Sequence, residues 1–184
     1  MNRRRAIGWT IAALVALGAL LFVPLPWPGW LVGTRIENVV EIDAPMPQVF
    51  AYVATPANWP KWHPNSRAVR GVTDRTPAVG ESVVETYDIA GRSDDATWTT
   101  VELDPPRRWR FTARSQRGGG AEIAYTLQPT ASGTRFRREL YYEGPNLLFA
   151  ILDALKLKSV MVANSAAAVQ NVKRDTEAAA RKQP

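Results

Sequence analysis

Two charged side chains stand where alternating strands would bury them. In Ser82–Ile89, Val83, Glu85, Tyr87 and Ile89 share one face, and Ser82, Val84, Thr86 and Asp88 the other. The first set is the more apolar, so it is expected to face inward and to take Glu85 with it. In Thr134–Tyr142 the same rule turns Phe136, Arg138, Leu140 and Tyr142 inward. A buried charge needs a partner, and Glu85 and Arg138 are natural partners for each other. Such a pair in an apolar interior could orient a ligand head group or polarise a carbonyl. With Tyr87 or Tyr142 beside it, it could also supply an acid, a base or an oxyanion donor. The bland alternatives are a purely structural ion pair, or a strand of opposite facing whose charge is solvated.

Little else in the chain could do chemistry. There is no cysteine, which removes thiol catalysis, disulfides and Cys-based metal sites. The single histidine, His63, lies between Trp62 and Pro64 and reads as a loop residue at the surface. No catalytic residue, metal ligand or cofactor site is therefore assigned. Arg108, Arg110 and Arg114 alternate with Trp109, Phe111 and Ala113, which gives one strand a basic outer face. That face is solvated, or it meets anionic lipid head groups. The net charge of +6 falls to +3 once Arg3, Arg4 and Arg5 are set aside, so no nucleic-acid partner is expected.

These residues need elements to position them. A strand is expected over Ile36–Asp43, ending at Ala44-Pro45, with a helix from Pro47 to Val53 and a short helix or turn over Pro56–Trp62. Strands follow at Arg67–Asp74, Ser82–Ile89, Thr97–Leu103, Arg108–Ala113, Glu122–Leu127 and Thr134–Tyr142, with Gly118–Gly120 as a hairpin turn. The period then changes. Leu148, Leu152, Leu155, Val162, Ala166 and Val169 recur every three or four residues, so one amphipathic helix of roughly 30 residues is expected. The class is α+β: a curved antiparallel sheet of about seven strands around a long C-terminal helix.

The N-terminus reads differently. Ala6–Val23 is 18 uncharged residues, or roughly 27 Å of helix, preceded by Arg3–Arg5 and followed by Pro24, Pro26 and Pro28. Trp9, Trp27 and Trp30 fall near its ends. Residues 1–24 are expected to be a single-pass transmembrane anchor, 25–34 a linker and 35–184 the domain. The positive flank puts the N-terminus in the cytoplasm and the domain outside it. Cleavage as a signal peptide is the alternative, although the core is long for one and PLPWPGW offers no small-residue cleavage site.

Three stretches carry a family likeness. Val39-Val40-Glu41-Ile42-Asp43-Ala44-Pro45, then Val49-Phe50-Ala51-Tyr52-Val53, then Pro56-Ala57-Asn58-Trp59-Pro60-Lys61-Trp62 resemble the N-terminal signature of the START-like (SRPBCC) superfamily. They are most similar to its polyketide cyclase/dehydrase and lipid-transport branch. Gly80, the Leu103–Arg108 turn and the C-terminal helix also fall where that family has them. The resemblance runs from residue 36 to about 172. It implies a helix-grip fold, and a role that in some members is binding and in others catalysis. Within the motifs, Trp59 and Trp62 read as core packing or as a lid over a pocket mouth.

The expected function is binding of a hydrophobic or amphipathic small molecule, such as a lipid, in an internal pocket. Val83, Glu85, Tyr87, Trp109, Phe111, Ile123 and Tyr125 would line it. So would Phe136, Arg138, Leu140 and Tyr142 from the last strand, and Leu152 and Leu155 from the long helix. A cyclase/dehydratase-type enzyme is the alternative, and a ligandless structural or interaction module with a filled core is a second one.

Overall fold

Alternation of inward and outward residues is clearest in the strands over Arg108–Ser115 and Thr134–Glu143, and the sheet is one antiparallel meander with a single exception. The computed structural model describes residues 3–23, 29–115 and 118–182. Helix α1 (Arg3–Leu20) and a short turn α2 (Gly29–Val32) lead into β1 (Gly33–Ile42). Helix α3 (Met46–Ala54) starts behind Pro45, with Pro47 in its first turn, and buries Val49, Phe50 and Val53. A 3₁₀ turn (Pro56–Asn58) and α4 (Trp59–Trp62) follow. Then come β2 (Ser66–Gly71), β3 (Ser82–Ile89), β4 (Arg92–Asp104), β5 (Arg108–Ser115), β6 (Gly120–Pro129) and β7 (Thr134–Glu143). The spatial order is β1-β7-β6-β5-β4-β3-β2, so β1 closes against the last strand rather than the next.

The seven expected strands are present, some longer than expected. β1 begins at Gly33 and β4 at Arg92, so the folded domain takes in the end of the expected linker. Gly118 and Gly119, at φ +89° and +86°, make the turn before β6; a Cβ on Gly119 would sit 2.5 Å from the Glu143 carbonyl oxygen.

The C-terminal arm is not one regular helix. Asn146 caps α5 (Leu147–Leu152) by accepting from the Phe149 N–H at 2.9 Å. A π-helical turn (Asp153–Leu157) follows, and then α6 (Lys158–Ala180). The inner face of α6 is buried at Ser165, Ala168, Val169, Val172 and Thr176, where it packs on β1 and α3. Of the expected stripe, Val169 is buried, whereas Leu152, Leu155 and Val162 are exposed.

The outer face of the sheet is not a basic strip. Glu102 bridges Arg108 (2.7 Å) and Arg110 (3.0 Å), and Arg110 also reaches Glu122 at 3.2 Å. Alternation placed Arg108 and Arg110 outside correctly, and the neighbouring strands supply their counter-charges; Arg114, the third arginine of that face, is exposed.

The N-terminal segment also departs from expectation. Among the described residues no helix is long and apolar enough to cross a membrane. The helix of residues 3–20 begins with the three arginines, so its uncharged part is residues 6–20, roughly 22 Å long. Beyond Leu20 the chain turns rather than continuing the helix to Val23. The three prolines and Trp27 lie outside the described residues.

Candidate functional site

The concave side of the sheet, α4 and the outer part of the C-terminal arm line a partly open cavity of about 500 Å³. That is within the roughly 300–1,000 Å³ of small-molecule sites. Its walls are built by strand alternation. Phe111 and Ala113 come from β5, Ala121, Ile123 and Tyr125 from β6, and Arg138, Leu140 and Tyr142 from β7. Phe149, Leu152, Lys156, Leu157 and Met161 of the arm form the opposite wall.

Nine of the thirteen residues expected at a pocket line this cavity: Glu85, Tyr87, Phe111, Ile123, Tyr125, Arg138, Leu140, Tyr142 and Leu152. The other four do not. Val83, Trp109 and Phe136 point inward but are packed beneath the lining. Trp109 lies 4.2 Å from the Phe111 ring and donates to Thr100 Oγ1 at 3.1 Å, while Phe136 packs on Tyr125 at 5.4 Å. A strand's inward face has more residues than a cavity has wall, and these three fill the layer under it. Leu155 is 78% exposed. Two residues earlier, Asp153 is buried, accepting from Tyr142 Oη at 2.6 Å and Thr34 Oγ1 at 2.7 Å. Two residues of helix turn the side chain by roughly 200°, so fixing Asp153 inward drives Leu155 out.

Glu85 and Arg138 both face inward, but they form no ion pair with each other. Glu85 is held by Trp98, whose indole N–H donates to Oε2 at 2.8 Å. Burial pushes the Glu85 carboxyl above the usual carboxylate range, although the Ser66 hydroxyl, the Trp98 N–H and the charge of Arg138 pull it back down. Arg138, 1% exposed, donates from Nη1 to Ser165 Oγ at 2.7 Å, and its Nη2 stands 3.2 Å from His63 Nε2. Ser165 in turn donates to Asn38 Oδ1. Tyr125 borders the same end of the cavity, its hydroxyl pushed up to about 12, mainly by burial.

His63 is the residue the sequence misplaced. It lines the cavity instead of facing solvent, because α4 carries the chain inward and seats its Trp62 at 1% exposure. Burial, helped by Arg138, lowers its pKa to about 3. Both ring nitrogens face donors, the Asn65 N–H at 3.3 Å and Arg138 Nη2 at 3.2 Å; a neutral ring accepts from one of them, and a doubly protonated ring from neither. The imidazole is therefore neutral. Trp59 and Trp62 are core residues and cavity wall at once. Trp98 was legible from the alternation of β4; His63, in a connection without a period, carried no such signal.

Among the described residues no cluster of His, Asp and Glu could hold a metal ion.

A curved antiparallel sheet gripping a helix over an apolar cavity with one polar end defines a helix-grip domain of the ligand-enclosing kind. The chain belongs to the polyketide cyclase/dehydrase and lipid transport family, whose sequence profile matches residues 33–177. Among solved structures it is similar to the ZhuI aromatase/cyclase of Streptomyces sp. R1128, at 18% identity and a TM-score of 0.65, over 79% of this chain and 94% of that one. It is also similar to the protein TTHA0849 of Thermus thermophilus, at 19% identity and TM-score 0.63, over 80% and 98%. The di-domain aromatase/cyclase StfQ of the steffimycin biosynthetic pathway matches at 14% and TM-score 0.63, over 82% of this chain and about half (52%) of that one. At these identities the likeness is one of fold. No curated protein sequence matches the chain.

Proposed function

We propose that this domain is a container for one hydrophobic or amphipathic small molecule. The observation that supports this reading is the cavity of about 500 Å³, apolar on most of its wall and polar at the end bounded by His63, Glu85, Tyr125 and Arg138. A ligandless module would fill that volume with side chains, as close-packed interiors do. Native mass spectrometry of the purified chain is expected to find a co-purified small molecule at one per protein. An empty protein that also takes up no apolar probe would end this reading.

A second reading is favoured by the same polar end. A neutral imidazole, a carboxyl raised by burial and a guanidinium around one cavity could move protons on a carbonyl compound, as a cyclase or dehydratase must. Turnover of a poly-β-keto thioester analogue, lost in both Glu85→Gln and His63→Gln while the fold is kept, would establish it. Binding without turnover leaves the container.

We further propose that the N-terminal segment attaches the domain to a membrane, with residues 1–5 in the cytoplasm and the domain outside. The helix that opens on Arg3–Arg5 exposes Trp9 (78%), Leu14 (63%) and Val15 (66%), a surface an aqueous chain rarely leaves uncovered. A C-terminal alkaline phosphatase fusion is expected to be active; an inactive phosphatase with a bright fluorescent-protein fusion would reverse the orientation.

A further inference from the structure

Four arginines of the sheet's outer face have counter-charges: Arg135 pairs with Glu41 at 2.6 Å and Arg137 with Glu37 at 3.2 Å, and Arg108 and Arg110 share Glu102. Arg138, which is nearly wholly buried, has none within ion-pair reach among the described residues. Its hydrogen-bonding neighbours there are the Ser165 hydroxyl, the His63 ring and the Tyr125 hydroxyl, all uncharged, and its Nε has no partner in the protein. Trp62 Nε1, on the same side of the cavity, is likewise a buried donor without an acceptor. A buried cation without a counter-ion is costly, and so are buried donors left unpaired. The inner end of the cavity is therefore built for something the chain does not itself supply.

Building on the container reading, we propose that the ligand supplies the missing counter-ion: it is a carboxylic acid whose carboxylate lies against Arg138 and whose apolar body fills the cavity. Of the groups at that end, the guanidinium alone carries a fixed positive charge, and a planar guanidinium matches a carboxylate in shape and hydrogen bonding. Burial favours the neutral form of Glu85, which lessens its opposition to a second carboxylate. The cavity, about 500 Å³, is in the size range of small-molecule sites, enough for one alkyl chain or a few fused rings.

The test uses the full chain, kept soluble in amphipol, with decanoic acid and 1-decanol as matched probes in calorimetric titration. The acid is expected to bind at least about tenfold tighter than the alcohol, and Arg138→Met to bring that ratio below about two. Because Arg138→Met can fail to fold, a second measurement uses the unaltered protein: the ¹³C carboxyl shift of labelled decanoic acid against pH. The bound acid is expected to ionise at a lower pH than the same acid free in the same buffer, since a nearby cation favours the charged form. Equal binding of acid and alcohol, or a bound carboxyl that ionises at higher pH than the free acid, overturns the carboxylate proposal and leaves the container reading standing. If neither probe nor a fused-ring acid such as 2-naphthoic acid binds, both fall together.

Discussion

From Ser165 to Thr176 the C-terminal arm is buried at every turn, whereas from Leu147 to Val162 the same arm leaves Ile151, Leu152, Leu155 and Val162 exposed. The inner half lies in the concave sheet and packs on β1 and α3, so its apolar stripe is covered on all sides. The outer half spans the cavity, where there is wall to provide but no side chains to pack between. What holds it is largely polar: the Asn146 cap and the hydrogen bonds that Asp153 accepts from Tyr142 and from Thr34 of β1, with Phe149 and Met161 packing against the edge of the core. The comparison teaches that one continuous arm can be a structural clamp at one end and a cover at the other. The cover should be the less stable part, since it has few buried apolar contacts.

The largest effect comes from making the same substitution in both halves. Val172→Asp puts a carboxylate where the exposure is zero and is expected to cost more than about 4 kcal/mol, enough to prevent folding. Val162→Asp, at a position 43% exposed, should stay within about 0.5 kcal/mol. Urea denaturation of the two variants checks this, and comparable losses would erase the distinction between the halves.

Next comes the pH dependence at the clamped end. His63 titrates near 3 in the folded protein, against 6.5 for the ordinary group. Between those values the unfolded chain binds a proton that the folded chain does not, so stability from this group rises with pH across the window and is complete above 6.5. Between pH 7 and about pH 4 the unaltered protein is expected to lose more stability than His63→Gln. Equal losses would show that the ring is not held neutral. Glu85 works in the opposite sense: its raised pKa makes stability fall as pH climbs past 4.5, and Glu85→Gln should remove that fall.

A smaller effect is expected at the cover. Asp153→Ala leaves the Tyr142 hydroxyl and Thr34 without their acceptor, at about 1–3 kcal/mol. The loss should be local. Amide exchange is expected to quicken over residues 147–157 while residues 165–176 keep their protection. A uniform loss of protection would mean that the two halves open as one unit.

How much of this was legible in the sequence depended on period. Strand alternation has a period of two and no freedom of rotation, so Glu85, Phe111, Tyr125, Arg138 and Tyr142 were placed on the inner face without a structure. Alternation says nothing of depth, which is why Trp109 and Phe136 could not be told from the lining. It also says nothing of who pairs with whom, so the link of Glu85 to Trp98, and of Arg138 to Ser165 and His63, stayed hidden. Helix facing was the weaker inference. A stripe spaced by three and four fixes a face only if the helix is regular, and the π-helical turn at Asp153–Leu157 breaks that condition.

Leu155 gives the smallest expected effect and the sharpest test of that point. By the periodic stripe it belongs to the core, and truncating a core leucine costs about 2–5 kcal/mol. In the structure it is 78% exposed and takes no part in the cavity wall, since the inward position is held by Asp153. Leu155→Ala removes side-chain atoms that are mostly in water already, and alanine is the better helix former. The change in stability is therefore expected to stay below about 0.5 kcal/mol by urea denaturation. A loss above about 2 kcal/mol would mean that the arm turns its other face to the sheet. The Asp153 hydrogen bonds, and the cover they hold in place, could not then stand as described.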